Sequence, residues 1–455
     1  MTEFARSVIL PFPAGEVYRW HLRPGAFERL IPPWESIEPP PCPQGIREGS
    51  RVAFTLRKGP VRLRWEALHR DFEEDRQFVD EQVKGPFPKW VHTHSFRDVD
   101  KGACAMEDRI TYDFPFGPVG RLLGGAMLQQ DLSRLFAFRH RRTAEDLARH
   151  GRFAELGPRR VALTGASGLV GGSLRAYLSG GGHEVLPMVR RGAGPGEIAW
   201  DPAAGTLDVA SLEGLDGVVH LAGENISASR WTPETKARIR ESRVEGTRLL
   251  CEGLAKLKRP PQVLVSASAI GWYGDAGDAG LDETGAAGRG FLPEVCAAWE
   301  NATEPARAAG IRVVNLRIGI VLAAKGGALA RMLTPFKLGM GGPVGSGRQV
   351  MSWIALDDLL GIIEAALWDS RFSGPVNATA PNPVIQAQFA RTLGSVLGRP
   401  AVAPLPGAVV RLAFGEMGQA LLLEGARVLP RRLLDAGFPF QTPGLEGALR
   451  SELGR

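Results

Sequence analysis

Cysteine is scarce in this chain, with four in 455 residues: Cys42, Cys104, Cys251 and Cys296. None stands in a CxxC pair or has histidines at ligand spacing, so neither a disulfide framework nor a metal site is expected, only free thiols in a reducing cytoplasm. No run of about 18 apolar residues occurs, so no membrane-spanning helix is expected. The opening MTEFARSVILPFPAGEVYRW lacks the basic region, apolar core and cleavage site of a leader. Low-complexity tracts are missing too. The net charge of +6 comes from arginines scattered along the chain; that suits an anionic small ligand and does not indicate nucleic acid. Tyrosine is equally scarce. Tyr18, Tyr112, Tyr177 and Tyr273 are followed four residues later by Leu22, Phe116, Gly181 and Gly277, so no Tyr-x-x-x-Lys exists.

What is present falls into two regimes that meet near residue 155. Before it, SRVAFTLR, VRLRWEALHRDF, RQFVDEQV, KWVHTHSFRDV and CAMEDRITYDF alternate apolar and polar residues, as half-buried antiparallel strands do. LLGGAMLQQDLSRLFAFRHRRTAEDLARH then has the three- and four-residue spacing of one long amphipathic helix. These elements predict an α+β unit in which a curved sheet wraps a helix. The opening SVILPFPAGEVYRWHLRPGAFERLIPPW, the hairpin FVDEQVKGPFPKWVHTHSF and the terminal helix resemble the START-like superfamily, the SRPBCC or polyketide cyclase domains, over 1–150. The resemblance implies a pocket for a hydrophobic ligand. Trp90, His92 and His94 share one strand face, where they either line that cavity or form a core tryptophan with two rim histidines.

After residue 158 strands and helices alternate, which predicts a doubly wound parallel sheet over 158–400, followed by a small C-terminal domain over 401–455. VALTGASGLVGGSL is a buried strand, a glycine turn and a helix start in that order. Gly165 permits the turn, Gly168 lets backbone approach a pyrophosphate, and Gly171 allows close helix packing. At the end of the next strand, where a carboxylate would hold ribose hydroxyls, stand Arg190 and Arg191. Guanidinium forks suit a 2′-phosphate, so NADP(H) is expected over NAD(H).

TGASGLVG, HLAGENI, SRVEGTRLL, VSASAIGWYGD, LRIGIVL, GGPVGSGRQVMSWIALDDL and GEMGQALLLEGARVLPRRLLDAGFPF together resemble the epimerase family of atypical short-chain dehydrogenase/reductases, over about 159–445. The resemblance implies a cofactor site of Thr164, Gly165, Ser167, Gly168, Leu169, Val170 and Gly171, with Arg190 and Arg191 at the ribose phosphate. His220, Leu221, Ala222 and Gly223 would follow the adenine ribose, and Ser266 to Ser268 would end the strand beneath the nicotinamide. Where many relatives read SWIHxDD, this chain has Ala355.

In active short-chain enzymes a tyrosine moves the hydroxyl proton, a lysine lowers its pKa and a serine orients the substrate oxygen. Ser268 matches the serine, but the helix that should carry the pair has Leu292 and Cys296. Tyr273 or Glu224 would have to supply the proton; the alternatives are a packing aromatic and a loop cap. Asn225 would bind substrate or cap the same loop. Lys236, Arg240 and Arg243 share a helix face that meets an anionic group or only solvent. Asp357 and Asp358 would cap a helix. The expectation is an NADP(H)-dependent oxidoreductase or epimerase-like enzyme on a small molecule, with a hydrophobic ligand in the N-terminal domain. The alternative is a cofactor-binding sensor or scaffold that turns over nothing.

Overall fold

The computed structural model describes residues 1–38 and 45–455; Cys42 lies outside the described residues. They form two compact units: Met1–Pro158 with Arg175–His183 and Gly454, and Arg159–Leu174 with Glu184–Leu453 and Arg455.

The first unit is built on one antiparallel sheet of seven strands, in the order Thr2–Leu10, Ala103–Asp113, Lys89–Asp100, Gln77–Lys84, Val61–Glu73, Arg51–Lys58, Ser36–Glu38. Period-two patterning becomes an inner face because successive side chains alternate across a strand. In Ala103–Asp113 the buried residues are Cys104, Met106, Asp108, Ile110 and Tyr112. The 35-residue helix Gly117–Gly151 packs on that face through Leu132, Phe136 and Leu147, with the Phe136 ring 5.5 Å from Phe4. Its apolar stripe is longer than its contact: Val119, Leu122, Leu123 and Met127 are exposed, and burial begins further along. The short helix Ala14–Leu22 adds Val17, Tyr18 and Trp20 to the same core.

The second unit contains an eight-stranded sheet, in the order Thr206–Leu207, Ile198–Asp201, Glu184–Val189, Arg160–Thr164, Gly217–His220, Val263–Ala269, Arg312–Ile318, Gly374–Ala378. Only the Thr206–Leu207 edge is antiparallel. The central strands are apolar throughout because both faces are covered; Val161, Ala162 and Leu163 are fully buried. Strand order reverses between Arg160–Thr164 and Gly217–His220, and in such Rossmann-type sheets the ligand crevice opens at the carboxyl ends of those two strands. The C-terminal segment joins this unit, with Ala426–Val428 pairing in parallel with Gly277–Leu281. Among the described residues no helix is long and apolar enough to cross a membrane.

Candidate functional site

At the reversal point the chain leaves its strand through Gly165, with φ of +69°. A Cβ there would stand 3.1 Å from the Leu221 carbonyl carbon and the Ala222 nitrogen. At Gly171, in the first turn of the helix Leu169–Gly180, a Cβ would stand 2.1 Å from the Gly165 carbonyl oxygen. Only glycine fits so close an approach. Between these points Ser167 and Gly168 are exposed and Leu169 and Val170 half-buried. Bare backbone thus opens a 12-residue helix, whose free amides and positive end are the chemistry a pyrophosphate requires, so the loop fits a dinucleotide.

Behind the loop runs a buried chain of hydrogen bonds. Thr164 Oγ1 accepts from the Leu221 and Ala222 amides at 3.0 and 3.1 Å and donates to His220 Nδ1 at 2.8 Å. His220 Nε2 donates to Thr247 Oγ1 at 2.9 Å, which also receives Trp299 Nε1 at 2.9 Å. Burial pushes His220 down to about 4, so the ring is neutral. The Thr164 and His220 side chains therefore tie the 221–223 loop to the sheet instead of reaching out of it. Leu221 and Ala222 are half-buried and Gly223 exposed. The Ser266 side chain is also fully buried. Arg190 and Arg191 follow Glu184–Val189, exposed, and among the described residues no ion pair or hydrogen bond engages either.

The helix Phe291–Asn301, which carries Leu292 and Cys296, packs against the turn Ile270–Tyr273. A Cβ on Gly271, just past the strand Val263–Ala269, would sit 3.3 Å from Leu292 Cβ and 3.6 Å from Cys296 Sγ. Burial first, and then the nearby Glu300, push the Cys296 thiol up to about 12. It is a small core residue and no nucleophile.

Sequence reasoning missed Glu300, Arg317 and Asn377. Glu300 forms a buried two-pronged pair with Arg317, with Nε–Oε1 2.9 Å and Nη2–Oε2 3.1 Å. Ser268 Oγ donates to Glu300 Oε1 at 2.7 Å. The Arg317 guanidinium stacks 3.8 Å over Trp272 and donates to the Tyr273 hydroxyl at 3.1 Å. That hydroxyl has Asp282 O and Asn377 Oδ1 as acceptors, both at 2.8 Å. Burial raises the Tyr273 pKa above its ordinary value. The two hydroxyls expected to orient substrate and move a proton are thus taken by internal partners. The signal for this network was Arg317, set between Leu316 and Ile318 in the run IRVVNLRIGIVL.

Glu224 differs from them: its side chain is 40% exposed, with Arg238 Nε 3.5 Å away. Asn225 closes its own loop by accepting from the Ser227 amide and hydroxyl at 2.9 and 3.0 Å. The basic helix face divides. Lys236 pairs with Glu416 at 2.8 Å, Arg240 is exposed, and Arg243 turns inward, donating to Glu224 O at 3.0 Å and lying 5.0 Å over the Trp299 ring. Asp358, in the first turn of the helix Leu356–Trp368, accepts from the Gln441 and Thr442 amides at 2.8 and 3.0 Å.

In the first unit, Trp90 packs 5.2 Å from Trp65 and 4.7 Å from Phe87. His92 and His94 are each 5% exposed, so they are interior groups and not rim histidines. His94 borders a cavity of about 70 Å³ that is also lined by His21, His69, Phe78, Asp80 and Arg139.

Known proteins match each region. The NAD dependent epimerase/dehydratase family matches residues 161–376, polyketide cyclase / dehydrase and lipid transport matches 10–138, and a domain of unknown function (DUF1731) matches 405–452. The epimerase family protein Mb2239 of Mycobacterium bovis is 43% identical over 281 residues, covering 62% of this chain and 93% of that one. A crystal structure described as the nucleoside-diphosphate sugar epimerase from Corynebacterium glutamicum is 34% identical with a TM-score of 0.81, covering 99% of this chain and 90% of that one. The human epimerase family protein SDR39U1, solved with NADPH, is 38% identical with a TM-score of 0.60, covering 65% of this chain and 99% of that one.

Proposed function

The chain belongs to the NAD dependent epimerase/dehydratase family, and from that premise we propose that it is an NADP(H)-dependent oxidoreductase or epimerase-like enzyme of the cytoplasm. The observation that carries this reading is the glycine loop with two exposed, unengaged arginines at the end of the next strand. The human relative's NADPH supports the choice of cofactor. The description of the Corynebacterium glutamicum protein supports a nucleoside-diphosphate sugar as the substrate class. The working division is 1–150 for the START-like domain, 158–400 for the cofactor domain and 401–455 for the C-terminal domain.

In this reading, residues 164–171 and 220–223 hold the dinucleotide, and Arg190 and Arg191 pair with its 2′-phosphate. The cofactor, when bound, supplies hydride transfer. Of the three residues assigned to proton movement and substrate orientation, Glu224 carries the proton because it alone presents an accessible acid. Ser268 and Tyr273 keep Glu300 and Arg317 in place. Arg243, whose guanidinium carbon would stand 3.3 Å from a Cβ on Gly223, offers the positive charge that a lysine would otherwise bring. In the N-terminal domain the cavity is small and its lining surface mostly apolar, which narrows the expected hydrophobic ligand to a compact molecule.

A second reading, a cofactor-binding sensor or scaffold, draws on the same helix: Leu292 and Cys296 stand at the pair's positions, and the nearest hydroxyls are internally bonded. The test is to bind NADPH, then follow its oxidation at 340 nm, NADP+ reduction and, because an epimerase returns its cofactor unchanged, the formation of product isomers by chromatography, across nucleoside-diphosphate sugars and small carbonyl compounds. Turnover lost in Glu224→Gln supports the enzyme. Tight binding with no turnover across the set replaces it with the sensor.

A further inference from the structure

We propose that the N-terminal unit holds a divalent first-row transition-metal ion between Asp80, His92 and His94, on the wall of its cavity. Strand alternation sends His92 and His94 to the same inner face, and sheet register sets Asp80 opposite His92 and Asp108 opposite His94. One ligand atom from each of Asp80, His92 and His94 lies within 4.8 Å of the others, the one such group of three among the described residues. Asp80 Oδ2 is 3.3 Å from His94 Nε2 and 3.9 Å from His92 Nδ1. Two ligands at roughly 2.0–2.1 Å on a tetrahedral ion stand about 3.3 Å apart, so an ion enters with little movement.

The surroundings have the second layer that metal histidines need. Asp108 Oδ1 lies 2.9 Å from His92 Nε2 and 2.8 Å from His94 Nδ1, against the nitrogen of each ring that turns away from Asp80. The carboxylate hydrogen-bonds His92 Nε2 and so fixes that ring's orientation, lies beside His94 Nδ1 without a hydrogen bond to it, and leaves His92 Nδ1 and His94 Nε2 facing Asp80 to ligate. Asp108 is in turn held by His140 Nε2 at 2.6 Å. On the far side, Asp80 Oδ1 accepts no hydrogen bond although His69 Nε2 is 3.2 Å away. The Asp80 side chain is 27% exposed where Asp108 is 4%, and Asp80 and His94 both border the cavity. An ion between them is therefore reached from that space. Two imidazoles and one carboxylate suit zinc or ferrous iron, with the remaining positions open to a small oxygen ligand.

The test is independent of the dinucleotide reading, because its readout is metal content. The untagged full chain is stripped with chelator, equilibrated with equimolar zinc, dialysed and analysed by plasma mass spectrometry. One zinc per chain is expected. Asp80→Asn and His94→Gln should each abolish retention, and Asp108→Asn should weaken affinity about 10- to 100-fold. X-ray absorption of the zinc-loaded native protein, which needs no variant, should show the scattering of two imidazoles. Native protein that retains no zinc, folded Asp80→Asn and His94→Gln variants that retain it fully, or a spectrum without imidazole scattering overturns the site. In that event protons alone bridge these carboxylates and rings.

Discussion

Gly171 and Gly172 are neighbours on one helix, yet only one of them is constrained. A Cβ at Gly171 would collide with the Gly165 carbonyl at 2.1 Å, whereas one at Gly172 would meet only Ala166 O at an ordinary 3.5 Å. Gly171→Ala should therefore lower NADPH affinity at least tenfold, about 1.4 kcal/mol, and Gly172→Ala should leave it unchanged, both read by fluorescence titration. Equal effects would mean that helix propensity, not close approach, sets the requirement. The arginines give a second expectation. NADPH should bind at least tenfold tighter than NADH, and Arg190→Ala with Arg191→Ala should erase that preference; equal affinities in the native protein would remove the 2′-phosphate assignment. The glycines were legible because their spacing follows from backbone geometry that one chain segment carries whole. Thr164 and His220 were less so. A strand-end residue's sequence position does not say whether its side chain points to the crevice or to the sheet, and here partners on a loop and a helix, Leu221, Ala222 and Thr247, decide.

At the scale of elements, the helix Phe291–Asn301 and the strands Val263–Ala269 and Arg312–Ile318 meet over a charged pair buried almost completely. Removing one member of such a pair leaves the other charge unpaired, so Glu300→Gln should destabilise the protein by about 3–5 kcal/mol in denaturant unfolding. A loss under about 1 kcal/mol would mean that water reaches Arg317. Ser268→Ala separates two roles. As a support for Glu300 it should cost about 1.5–3 kcal/mol of stability; a variant of native stability with turnover abolished would instead make Ser268 a catalytic residue. The periodicities of these elements were readable from apolar spacing. Their polar contacts were not, since Glu300, Arg317 and Asn377 come from three separate elements: parallel register sets Arg317 beside Asn377, and helix packing brings Glu300 to Arg317. In the long helix Gly117–Gly151 the apolar spacing ran ahead of the packing, because periodicity reports a face and not what covers it.

Over the whole molecule both fold classes were legible, the antiparallel sheet wrapped on a helix and the parallel Rossmann-type sheet, because each follows from a different repeat of apolar residues. The enzyme and sensor readings differ on whether the two units exchange information. A sensor requires a coupling free energy: cofactor bound in one unit must change the other, and the effect is reciprocal. An enzyme whose START-like unit merely holds its own ligand requires none. Hydrogen exchange of the full chain, read by mass spectrometry with and without NADPH at about 100 times its Kd, tests this directly, since such a concentration adds about 2.7 kcal/mol to the stability of whatever binds it. Protection is expected across 160–180 and 217–223, where the cofactor is assigned, with no change in the strands Gln77–Lys84, Lys89–Asp100 and Ala103–Asp113 that carry Asp80, His92, His94 and Asp108. These strands are core elements whose amides exchange only through large openings, so slowed exchange there on adding NADPH would mean that the cofactor stabilises the first unit, and the sensor reading would take precedence.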